Sequence, residues 1–138
     1  MAEMRQNKAK LKLKRKEPVI AIASSNADEI DTLGSLGTVD LIWVEMEHGP
    51  ASYSDLSDLS RACDLWGMTS LVRVNTNAPW LVGRALDRGM QSVLVPHVNT
   101  KEEADIGIAY FRRPVPVIVY SRTWNKSSVH KDPNLDLV

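Results

Sequence analysis

Two acids and an imidazole, Glu45, Glu47 and His48, follow the apolar run Leu41-Ile42-Trp43-Val44, and Gly49-Pro50 turns the chain directly beyond them. A carboxylate beside an imidazole is a pairing suited to general acid–base chemistry, because surroundings can tune both groups to exchange protons near neutral pH. The same residues also suit a solvated turn. Arg73 adds information, since Leu71-Val72-Arg73-Val74 sets a guanidinium inside an apolar run, where an unpaired charge is costly. It requires an anion. That anion is either a structural Asp or Glu, or a substrate carboxylate or enolate gripped by both arms of the guanidinium.

Asp87 stands between Arg84 and Arg88 near the end of a helical segment. It reads either as a surface partner of those arginines or as a carboxylate that orients His48 and favours its protonated form. His97, Asn99 and Thr100 follow the apolar run 91–95, and His97 alone reads as a loop residue rather than a catalyst. Cys63 is the only cysteine, so no internal disulfide is available, and its apolar spacing with Leu56, Leu59 and Trp66 reads as core.

Residues so far apart need a scaffold that gathers them, and the chain supplies a regular one. Apolar runs at 18–23, 40–44, 70–74, 91–95 and 115–120 read as strands. Between them, 27–33, 53–65, 80–88 and 101–111 read as helices, punctuated by Gly34 or Gly37, Gly67, Gly89 and by Pro79 at a helix start. Strands apolar on both faces, alternating with helices, predict an α/β fold with a parallel sheet. In such folds chemistry gathers at the carboxyl ends of the strands, where Glu47 and His48 stand. The dispersed glycines form no dinucleotide-binding fingerprint or phosphate loop, which removes the main local support for a nucleotide-binding sheet.

The 138 residues, 43% hydrophobic and 25% charged, fit one soluble domain. Seventeen basic and seventeen acidic residues cancel, which argues against nucleic acid as a general partner. The basic excess is confined to 1–16, a leader expected to form a short surface helix packed loosely over one end of the domain. No run approaches the roughly 20 apolar residues that span a bilayer, and with no apolar signal stretch a cytoplasmic location is the default expectation. Residues 17–120 read as the domain, and 121–138 as a polar tail.

Taken in order, Glu45-Met46-Glu47-His48-Gly49-Pro50, Leu71-Val72-Arg73-Val74-Asn75, Arg84-Ala85-Leu86-Asp87-Arg88-Gly89 and Val93-Leu94-Val95-Pro96-His97-Val98-Asn99 resemble the metal-dependent 2-keto-3-deoxy-sugar-acid aldolases of the HpcH-type citrate lyase and aldolase superfamily. The resemblance covers roughly residues 8–113. It implies the N-terminal half of a (β/α)8 TIM barrel and a carbon–carbon lyase that cleaves a 4-hydroxy-2-oxo acid to pyruvate and an aldehyde. A divalent ion such as magnesium, manganese or cobalt is implied as cofactor of the full-length family. The resemblance further implies that His48 is the acid/base group, that Asp87 forms a dyad with it, that Arg73 binds the pyruvyl oxygens, and that Glu47 lies close to the metal and its water. The family's metal-coordinating Glu and Asp lie farther along than the matched segment, so tight metal binding by this chain is not expected. Full-length members are expected to be homo-oligomers. The expectation is therefore a truncated or frameshifted aldolase, with a noncatalytic partner of a full-length homologue as the alternative.

Overall fold

A computed structural model describes residues 5–104 and the backbone of 117–119. The order is α1 (Lys8–Lys14), β1 (Ala21–Ala23), α2 (Ala27–Ser35), β2 (Leu41–Glu45), α3 (Leu56–Leu65), β3 (Thr69–Arg73), α4 (Pro79–Asp87), β4 (Ser92–Val95) and β5 (Val117–Val119). Residues 101–104 begin a further helix. Its expected continuation to 111 and the expected tail 121–138 lie outside the described residues.

The five strands are parallel, and each lies beside its predecessor in the order β1-β2-β3-β4-β5. A doubly wound sheet reverses its strand order, whereas a barrel adds each strand on the same side of the last. The sheet is thus the N-terminal half of a β/α barrel. Local chemistry sets the helices: the Asn26 side chain accepts from the amides of Asp28 and Glu29 to start α2, and Pro79 opens α4. α3 starts at Leu56 rather than at the expected residue 53. The Asp55 carboxylate binds the amide and hydroxyl of Ser52 and forms a turn there, which leaves Tyr53 outside the helix with its ring under Arg84.

Alternation along the strands divides the molecule into two layers. Ile42, Val44, Met46, Val72, Val74, Val93 and Val95 point to the helices and are buried with Ile30, Leu56, Leu59, Cys63 and Val82. Each such aliphatic side chain contributes about 1.5–3 kcal/mol by leaving water. Cys63 belongs to this core as expected, and burial, helped by the neighbouring Asp64 charge, pushes its thiol up to about 12. The opposite face is the barrel interior. Leu41 and Leu71 are buried there against Ala9, with Trp43 and Leu94 above them.

The leader departs from the expected loose packing. Ala9 is buried and its amide donates to Thr69 Oγ1, Asn7 donates to Ser92 Oγ and caps α1 through Lys10 N, and Lys12 Nζ lies 2.6 Å from Asp40 Oδ1. Arg5 reaches Gly89 O, Ser60 and Asp64. These ties bring α1 under the amino ends of the strands, where it closes that end of the interior. Among the described residues no helix is long and apolar enough to cross a membrane.

Candidate functional site at the carboxyl rim

The register of β2 against β3 sets Glu45 directly beside Arg73. Both point into the interior, and Arg73 Nη2 lies 2.6 Å from Glu45 Oε2. The chain then turns sharply, with the amides of Glu47 and His48 donating to Glu45 Oε1 at 2.7 and 3.3 Å. Gly49 permits this turn, because a Cβ there would collide with the carbonyl and side chain of Glu45. Glu47 is thereby folded back over the rim with its side chain only 7% exposed, and its Oε2 lies 2.9 Å from Arg73 Nη1.

One guanidinium therefore holds two carboxylates and faces the ring of Trp43 at 5.6 Å. Arg73 has the structural anions that its apolar setting demanded. Burial alone would raise the Glu45 carboxyl above its ordinary value. The hydrogen bonds from Arg73 and from the amides of Glu47 and His48, together with the Arg73 charge, outweigh burial and hold it below that value.

The second oxygen of Glu47 meets two imidazoles. His97 Nε2 is 2.5 Å from Glu47 Oε1, and His48 Nε2 is 3.5 Å from the same atom. His48 is where the sequence placed it, at the rim and largely exposed, while His97 is part of the cluster rather than a bystander in a loop. The loop after β4 delivers it with care. His97 adopts a left-handed backbone, φ 58°, a conformation costing about 1–3 kcal/mol in a residue other than glycine. Asn99 Nδ2 donates to its carbonyl, and Thr100 and Glu103 form a reciprocal cap that starts the next helix. Asn77 Nδ2 joins this loop to the one after β3 by donating to Glu103 O. The available signal was positional, since His97 follows the end of β4 as His48 follows β2.

Within the chain Asp87 stands apart from the cluster. A helix in a βα unit runs back against its strand, so the last residue of α4 returns to the amino ends of the strands. The following turn confirms this placement: Gly89 O is bonded by Ser60 and Arg5, and Gln91 N by Ser70 O, at the opposite end of β3 from Arg73. Asp87 is exposed there.

Beside Glu45 the rim opens into a cleft of about 540 Å³, lined by Ser24, Asn26, Glu29, Trp43 and Pro50 among others. Its lining carries two carboxylates, Glu29 and Glu45, and no basic side chain. A divalent ion does not fit the described residues. Glu45 and Glu47 already hold Arg73 at salt-bridge distance, and among the described residues no group of three or more His, Cys, Asp or Glu side chains is arranged to hold a metal. The chemistry these residues can perform is proton transfer at an imidazole and neutralisation of an anion by a guanidinium.

The carboxyl rim of this parallel β/α half barrel thus gathers acids, imidazoles and an arginine at the end where β/α barrels place their chemistry. Residues 19–116 match the HpcH/HpaI aldolase/citrate lyase family, and the chain belongs to it. It is 36% identical over 93 residues to a 2-dehydro-3,6-dideoxy-6-sulfogluconate aldolase of Pseudomonas putida, covering 67% of this chain and 36% of that one. It is also 36% identical over 110 residues to the 5-keto-4-deoxy-D-glucarate aldolase of Escherichia coli K12, covering 78% and 43%. A family protein from Burkholderia cenocepacia J2315 superposes with a TM-score of 0.70 at 29% identity, covering 80% of this chain and 45% of the other. The chain thus spans less than half the length of these relatives.

Proposed function

We propose that the chain carries the acid–base and anion-binding part of a carbon–carbon lyase site that cleaves a 4-hydroxy-2-oxo acid to pyruvate and an aldehyde. The carrying observation is the rim cluster of Arg73, Glu45, Glu47 and the two imidazoles, in a member of an aldolase family. The aldolase names of the curated relatives support the same reaction class.

In this reading His48 takes the proton of the 4-hydroxyl group, directly or through water. The C3–C4 bond breaks, the aldehyde leaves, and the electron pair passes through C3 onto the 2-oxo oxygen as an enolate. Return of the proton to C3 gives pyruvate. Arg73 faces the substrate carboxylate and the enolate, and to do so one of its arms must exchange a glutamate for the substrate. Glu47 keeps the guanidinium and the imidazoles in register. Asp87 enters this reading only from a second copy of the chain, because within one chain it stands at the other rim.

Pyruvate release from a 4-hydroxy-2-oxo acid, measured with added manganese, tests the reading. The expected result is slow release that His48→Ala lowers by roughly 100-fold. Release unchanged in His48→Ala contradicts it. A second reading, a noncatalytic partner of a longer homologue, is supported by β1, which among the described residues has a neighbouring strand on one side only. It predicts no release and co-migration with such a homologue on size exclusion at micromolar concentration.

A further inference from the structure

We propose that His97 is a positioning residue of the rim, which holds Glu47 and through it keeps Arg73 aimed at an incoming carboxylate. The proposal rests on the lyase reading only for the choice of anion.

Geometry gives His97 the hold. Glu47 Oε1 has two imidazoles within reach, but His97 is an ångström closer than His48, at 2.5 against 3.5 Å. With Oε2 bound to Arg73 Nη1 at 2.9 Å, a single buried carboxylate links the loop after β4 to the end of β3 and the turn after β2. A Glu47 held on one side only could swing about its last side-chain bonds and take Arg73 with it. The left-handed backbone at His97 and the Thr100–Glu103 cap behind it fix the side from which the second hold comes.

Proton NMR of the full chain tests the hold, and pyruvate titration tests its consequence for Arg73. The expected spectrum has a downfield imidazole N–H signal that is lost in His97→Ala and Glu47→Gln and kept in His48→Gln. His97 is half-exposed, so His97→Ala leaves the core intact. His97→Ala is expected to weaken pyruvate binding about fivefold, and His48→Gln to weaken it much less. A signal absent from the wild type or retained in His97→Ala, or pyruvate binding unchanged in that variant, overturns the proposal. No pyruvate binding by the wild type with the N–H pattern intact overturns the lyase reading and leaves the hold on Glu47 standing. Pyruvate binding without that pattern overturns the present proposal alone.

Discussion

Glu45 and Glu47 hold the same guanidinium from two sides, and the acid they make of the rim is a stabilising feature that pH can remove. The folded Glu45 carboxyl sits below its ordinary value of 4.5. Its stabilisation is therefore fully present above that value and is lost as pH falls through the lower, folded one. Glu45→Gln is expected to cost about 1–3 kcal/mol at neutral pH, since it removes a charge-assisted bond to Arg73. It should also flatten the loss of stability below about pH 4.5, because the mutated site no longer takes up a proton on unfolding. Urea titrations at several pH values check both expectations, and an acid limb unchanged from wild type would count against them. At this scale the sequence showed that Arg73 needs an anion and that His48 stands at a strand end. It could not show which anion: the answer lies in strand register for Glu45, a Gly49 turn for Glu47 and, for His97, a contact across 50 residues.

Elements were more legible, because continuous apolar strands and capped helices are local signals. The β–α order and the parallel pairing follow from them, while the start of α3 moved because the Ser52–Asp55 turn competes with helix. The leader's docking was hidden for another reason: Arg5, Asn7 and Lys12 find their partners on elements far along the chain. Interlocking of α2 with the end of α3 is equally non-local. A Cβ at Gly34 would overlap the Trp66 side chain, which is pinned by a 2.9 Å bond from Nε1 to Asp31. In an isolated helix Gly→Ala gains about 1 kcal/mol. Here the overlap is expected to win, so Gly34→Ala should destabilise by roughly 1–2 kcal/mol. Combining it with Trp66→Ala should recover the helix gain, and thermal unfolding of the two single variants and the double variant measures that coupling. Gly34→Ala more stable than wild type would contradict the packing.

The whole molecule has two chemically distinct rims. α1 closes the amino rim by hydrogen bonds and ion pairs, and Asp87 lies there, whereas the carboxyl rim gathers Glu45, Glu47, His48, Arg73 and His97 around an open cleft. That division follows from winding a parallel sheet with helices that run back, and it explains why Asp87, close in sequence to Gln91 and Ser92, is far from His48 in space. The amide spectrum of the chain, followed while pyruvate is added, tests directly whether the carboxyl rim is the acid-binding site. Our account predicts shifts at residues 45–48, 73–75 and 97–99, abolished by Arg73→Lys. Shifts gathered around Asp87 and Gln91 instead, or none at the carboxyl rim, would contradict it.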